Sequence, residues 1–306
     1  MAAMRRRFPN DPGLQARMLL VVFLLGLLYV VFFWVLSTYS SIGTTGAVVI
    51  CGGLLFAQYF YSDRIALFSM RAREVSPSEA PELHAIVDRL CALSDTPKPR
   101  VAIADTDMPN AFATGRNPNK AVVCATTGIM RRLNEVELEG VLAHELAHVA
   151  HRDVAVMTIA SFLGMVAGMI TRFAMYGGMY GGGRGRDNRD GNNGAAIALI
   201  VSILVYAISF VLTRALSRYR ELSADRSGAY LTGAPSALAS ALQKISGAMG
   251  SIPTRDLRAA EPLNAFFFAP AAAPGMSMAS LFSTHPSLER RLEQLARIEA
   301  ELSRGA

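Results

Sequence analysis

The chain has 306 residues and a mass of 32.9 kDa, with 52% apolar and only 18% charged residues. Soluble globular chains are nearer a quarter charged, so this composition excludes a disordered chain and argues against a purely soluble one. The net charge is +6, and the bases are arginine apart from Lys98, Lys120 and Lys244. They sit beside apolar runs rather than in one stripe, which points to membrane flanks and away from a nucleic-acid partner.

Two apolar runs come first. Met18 to Leu36 carries no charge and is long enough to cross a hydrocarbon core as a helix, which takes about 20 residues. A signal peptide is the competing reading, since Arg5, Arg6 and Arg7 precede the run. Its apolar core is too long for one, and no small-residue cleavage site separates it from the next run. Ile42 to Tyr61 is also uncharged and richer in small residues, which permit close helix packing in lipid. Trp34, Tyr39, Tyr59 and Tyr61 lie where an aromatic belt would place them. Residues 1–63 therefore read as a transmembrane hairpin.

Residues 64–153 read as a water-exposed block. Leu83, Ile86, Val87 and Leu90 recur at helical spacing within Pro81 to Leu93, and a short strand is expected over Val101 to Ala104. Two further β segments, 110–115 and 121–126, flank the turn signal Arg116-Asn117-Pro118-Asn119. A helix begins near Asn134, a plausible N-cap, with Glu135 and Glu137 favouring the positive end of its dipole. His84 reads as a surface histidine. Cys51, Cys91 and Cys124 are far apart and form no CxxC pair, so neither a disulfide framework nor a cysteine zinc site is implied.

A second apolar pair, Val154 to Ile170 and Ala195 to Leu212, flanks a loop rich in Gly and Arg, 177–194. Both runs are at the short end of membrane length, so 154–212 is either a second transmembrane hairpin or a buried hairpin of a soluble domain. Residues 213–306 turn polar again, with helices expected over 214–231, over Pro235 to Met249 and from Pro286, and a loop from Glu261 to Ser280.

His144-Glu145-Leu146-Ala147-His148 carries the chemistry. On a helix, positions i and i+4 lie about 40° apart in projection, so both imidazoles reach one point. Zinc accepts such nitrogens, and Glu145 beside that point can take a proton from water that a cation has acidified. A catalytic zinc needs a third protein ligand. His151 lies on the same helix, poorly placed for a tetrahedron, and Val154 occupies the last position of the extended HExxHxxGxxH pattern. Glu221 is the better candidate, one helical turn from Asp225, which can accept the hydrogen bond of a ligating histidine's other nitrogen. The bland alternative is a solvated helix face with salt bridges to Arg218, Arg220 or Arg226.

Four passages together resemble the HtpX-type membrane zinc metalloproteases, related to the CAAX prenyl-proteases and more distantly to thermolysin-like gluzincins. They are PNAFATG (109–115), HELAHVAHRD (144–153), SRYRELSADRSGAYLTG (217–233) and STHPSLERRLEQL (283–295). The resemblance implies an α-helical membrane protein of about four transmembrane helices carrying an α+β gluzincin-like protease domain, split between 64–153 and 213–306. It implies one Zn²⁺ per chain held by His144, His148 and Glu221, with Glu145 as general base and acid and Asp225 supporting the first histidine. Asn110, Ala111 and Phe112 are expected to hold substrate as an added strand, against the alternative of an ordinary hairpin. His285 either donates to the developing oxyanion or caps a helix.

The expected activity is endoproteolysis of membrane or misfolded proteins, as in protein quality control. Intramembrane proteolysis is disfavoured by Asn134, Glu135, Glu137 and Glu139, which a lipid-buried helix would not carry. A non-catalytic zinc scaffold would have no task for Glu145. Arginines flank the first hairpin on both outer sides and its connector, 37–41, has none, so positive-inside logic puts both termini and the site in the cytoplasm of a bacterial-type plasma membrane. Arg184, Arg186 and Arg189 in the outer loop run against that pattern.

Overall fold

The computed structural model describes residues 12–39, 49, 52–53, 56–57, 59–115, 117–153, 156–158, 160–162, 164–168, 189–250 and 285–305. It divides into two compact units. One comprises Tyr61–Ala155 and Ser217–Ala306 with Met1–Leu14, the other Gln15–Phe60 and Val156–Leu216. Most of the Ile42 to Tyr61 run, most of the Gly/Arg loop and the Glu261 to Ser280 loop lie outside the described residues.

The apolar unit is built on helix α1 (Pro12–Tyr39). Phe32 is buried with Phe162, Val166, Ala167 and Val205, and the rings of Tyr29 and Phe162 stack at 6.4 Å. Ser209 lies against Gly164 and Tyr206 against Gly168, so small residues let these backbones come close. The outer surface is apolar: Phe23, Val30, Trp34 and Val211 are all more than half exposed. Among the described residues, Gln15–Val35 and Leu199–Thr232 are long and apolar enough to cross a membrane, and Val156–Gly168 is a shorter apolar helix.

The other unit is a mixed sheet with helices packed on it. After helix α2 (Ser62–Ser69) come strand β1 (Ala72–Glu74), helix α3 (Pro81–Ser94), β2 (Arg100–Ala104), β3 (Ala111–Thr114) and β4 (Val122–Thr126). The strand order is β1-β2-β4-β3, with β2 and β4 parallel and the outer pairs antiparallel. Period-two alternation sorts the side chains. Val101, Ala111, Val123 and Ala125 face the main core, while Ala102, Ala104, Phe112, Val122 and Cys124 join Ala66 of α2 on the other side.

Helix α4 (Thr127–Arg132) leads into α5 (Glu135–Ala150), the HExxH helix. Asn134 is its N-cap, as expected, and Glu137 completes a capping box with it. Such a cap contributes about 1 kcal/mol. Leu138, Val141, Leu142 and Leu146 bury one face of α5 in a core shared with α3, α7 (Pro235–Gly250) and α8 (Leu288–Gly305).

Three expectations need correction. Helix α6 runs unbroken from Arg189 to Thr232, so the apolar run to Leu212 and the helix expected from 214 are one element. The end of the Gly/Arg loop, from Arg189, is its first turn. No residue between 189 and 232 is proline, so nothing interrupts the i→i+4 ladder where hydropathy changes. Lastly, His84 is buried, not on the surface: its exposure is 7% and its Nε2 lies 3.0 Å from the Val75 carbonyl, on the chain leaving β1.

Candidate metal centre

At Gly228, helices α5 and α6 meet backbone to backbone. A Cβ built on Gly228 would stand 2.9 Å from the main-chain nitrogen of His144, so only glycine permits this approach. Glu221 and Gly228 are seven residues apart, two helical turns on one stripe, and Asp225 lies between them on the same stripe. The close approach brings that stripe against His144 and His148.

Among the described residues, His144, His148 and Glu221 form the one group of histidine or acidic side chains able to share an ion. The two Nε2 atoms are 3.1 Å apart, His148 Nε2 lies 3.3 Å from Glu221 Oε1, and His144 Nε2 lies 3.5 Å from Glu221 Oε2. Donors held about 2.0–2.1 Å from one ion at tetrahedral angles stand roughly 3.3–3.4 Å apart, so the set fits a small divalent cation such as zinc. The distal nitrogens agree with this. His144 Nδ1 is 2.8 Å from Asp225 Oδ1, and His148 Nδ1 is 2.6 Å from Asp153 Oδ2. A carboxylate at Nδ1 holds the proton there and leaves the Nε2 lone pair aimed at the shared point.

Glu145 stands beside the group, buried, with Oε2 accepting from the Ala113 N–H of β3 at 2.9 Å. Burial pushes its carboxyl above the ordinary range, against the pull of His144 and His148. His285 Nδ1 lies 2.9 Å from Glu221 Oε2, which places this histidine against the third member of the group. His151 does not join the group. It closes the last turn of α5, its N–H donating to the Ala147 carbonyl.

Ala111 and Phe112 lie in an edge strand, since β3 pairs only with β4 among the described strands, and Asn110 immediately precedes it. Asn110 is tied inward: its N–H donates to Thr126 Oγ1, and its carbonyl accepts from the Thr126 N–H, both at 2.9 Å. By strand alternation the main chain of Phe112 also faces β4, while that of Ala111 and Ala113 faces outward. The Phe112 ring is buried on the far face of the sheet.

The sequence reading gives no role to Asp153 or Arg291, and to Arg220 only that of a solvated salt bridge. Asp153 lies inside the HELAHVAHRD passage and holds His148. Arg220 lies 2.9 Å from Asp153 rather than on a solvated face. Arg291 of α8 donates through Nε and Nη2 to both oxygens of Asp225, each at 2.7 Å. Burial works to raise the Asp153 carboxyl, but Arg220 and His148 outweigh it and hold it well below the ordinary range. The available signal was an acid just past the helix end and a basic run, 290–291, in the last quoted passage.

Comparison with known proteins gives one answer. Residues 77–299 match peptidase family M48. The chain is 57% identical over 302 residues to Protease HtpX homolog 1 of Streptomyces coelicolor, covering 98% of this chain and 97% of that one. It is 57% identical over 300 residues to the Protease HtpX homolog of Moorella thermoacetica, covering 98% and 99%. Protease HtpX homolog 2 of Methanosarcina acetivorans is 52% identical over 300 residues, covering 98% and 100%. In fold the chain is similar to the crystal structure of S. mikatae Ste24p, with a TM-score of 0.53 and 17% identity, over 88% of this chain and 62% of that one.

Proposed function

The chain belongs to peptidase family M48, a membrane metalloprotease and hence a hydrolase of peptide bonds, and from that premise we propose a zinc endopeptidase whose ligands are His144, His148 and Glu221. The observation that carries the reading is the trio of Nε2 and carboxylate atoms at 3.1–3.5 Å, with an aspartate behind each histidine. When bound, the ion supplies Lewis acidity toward a carbonyl oxygen and toward water.

The chain's own residues do the rest. Asp225 and Asp153 keep the two imidazoles oriented. Glu145 is the general base: Oε2 is engaged by Ala113, so Oε1 takes the proton of the attacking water and returns it to the leaving amine nitrogen. A carboxyl raised by burial suits both halves of that exchange. His285, held through Nδ1 against Glu221, is the donor beside the oxyanion that develops on the scissile carbonyl. The outward main chain of β3 receives the substrate as an added strand. Of the segment 110–112, Ala111 is the position that offers its amide and carbonyl, with Asn110 and Phe112 holding the strand in place.

The protein substrates are membrane or misfolded proteins. The chain crosses the bilayer about four times, at 18–36, 42–61, 154–170 and 195–212, with both termini and the site in the cytoplasm. The arginines on the outer flanks of the first hairpin support that orientation. A helix down and a helix back between His148 and Glu221 would return the third ligand to the side of the first two.

Full-length protein purified in detergent tests the reading, through its zinc content and its cleavage of casein with and without a chelator. One zinc per chain and chelator-sensitive cleavage that zinc restores are expected. Cleavage that survives complete metal removal would overturn it. Cysteine labelling in intact cells tests the topology: positions near 40 should react from outside, and positions near 130 and 290 only after the membrane is breached.

A further inference from the structure

Asp153 reaches His148 by a local device. Helix α5 ends at Ala150, and Arg152 takes a left-handed conformation, φ 57°, with its N–H donating to the Val149 carbonyl at 3.1 Å. That conformation is costly for any residue but glycine and persists where the surroundings require it. Its effect is to turn the chain back, so that Asp153 Oδ2 lies 2.6 Å from His148 Nδ1, five residues earlier.

The same oxygen meets Arg220 Nη2 at 2.9 Å, and Arg220 is the residue before Glu221. Asp153 is 1% exposed and Arg220 8% exposed, so both charges have left water. The other carboxylate oxygen, Oδ1, has no hydrogen-bond partner among the described residues. Among the described residues, the hydrogen bonding of this buried acid is directed to the histidine and the arginine. A purely structural ion pair has no need of a shared imidazole at 2.6 Å, nor of a left-handed arginine to arrange it.

We propose that Asp153 and Arg220 are positioning residues for metal binding: Asp153 fixes the ring of His148, and Arg220 holds Asp153 while tying the neighbourhood of Glu221 to the helix end that carries His148. The inference rests on the reading of His148 and Glu221 as ligands. It gives the second histidine a support separate from that of the first, which Asp225 and Arg291 provide.

The test uses full-length protein in detergent, zinc as the probe, chelator competition for affinity and thermal unfolding with and without zinc. Asp153→Asn keeps the shape and removes the charge. We expect zinc binding to weaken about 10–100-fold, the usual cost of losing the group behind a ligating histidine. The gain in unfolding temperature on adding zinc should shrink with it, an effect that a merely structural pair would not produce. Arg220→Lys keeps the charge without the planar fork and should weaken zinc binding about three- to tenfold. Binding within twofold of wild type in Asp153→Asn overturns the proposal; if that variant does not fold, the same result in Arg220→Lys does so. His148→Ala separates the premises. Undiminished zinc binding there would remove the ligand reading itself, whereas loss there with none in Asp153→Asn would remove only this inference.

Discussion

Glu137 and Glu145 are two turns apart on the same helix, both buried at 5% exposure, and their surroundings could hardly differ more. Glu137 is fully engaged. Its Oε2 accepts from the Asn134 N–H at 3.0 Å, its Oε1 from Ser240 Oγ at 2.6 Å, and Lys244 Nζ stands 2.7 Å from Oε1. Burial would raise its carboxyl, but Lys244, Ser240 and Asn134 outweigh burial and leave it below the ordinary range. Among the described residues Glu145 receives one donor, the Ala113 N–H, and burial prevails. A carboxylate surrounded by donors fastens helices together. One left short of them has capacity for a proton, the usual mark of a group with chemistry to perform.

Exchanging each acid for its amide tests that contrast. Glu145→Gln should retain zinc and the fold yet lose about 10²–10⁴-fold in rate, because the amide can neither take nor return a proton. Near-normal turnover by the purified variant, measured on casein, would erase the distinction. Next in size, Glu221→Ala should lower zinc content and activity together, whereas Glu145→Gln changes only the second. Metal analysis of both variants side by side would separate holding from acting.

Glu137→Gln should do the opposite of Glu145→Gln. It removes the charge beside the half-exposed Lys244 and weakens the capping box, at a cost of about 1–2 kcal/mol of stability, with turnover per folded molecule unchanged. The pH dependence sharpens this. The Glu137 carboxyl is depressed in the folded state, so its stabilisation is complete above its unfolded value, about 4.3, and is lost as pH falls through the folded one. The gap in unfolding temperature between wild type and Glu137→Gln should be constant above about pH 5 and close on acidification. The smallest effect belongs to His151→Ala, which should leave zinc content and rate nearly unchanged. A loss comparable to that of Glu221→Ala would move the third ligand to His151.

The sequence made the near-neighbour relations legible and concealed those that depend on chain reversal or distance. His144, Glu145 and His148 follow from helical geometry, and the stripe of Glu221 and Asp225 follows in the same way. Asp153 was hidden although it lies five residues from His148, since no helical spacing joins them and the left-handed turn at Arg152 has no glycine to announce it. Arg291 lies 66 residues from Asp225, and nothing local to either marks the pairing. Strand β1, Ala-Arg-Glu, has little β propensity and is held by its partner β2. The continuity of α6 is concealed for a different reason: hydropathy changes along it, although no residue there stops a helix.

The contact at Gly228 has a consequence for how much of this protein can change. Where two helices rest backbone on backbone, the spacing between them has a hard stop, set by main-chain atoms common to every sequence. Side chains elsewhere in the core can be exchanged for others of similar bulk, as relatives diverge or as an engineer seeks heat resistance, and the stop does not move. The tolerance of the centre is thus concentrated in one missing carbon atom: a single methyl group at position 228 would disturb the spacing of His144 and Glu221 more than several replacements among the leucines around them.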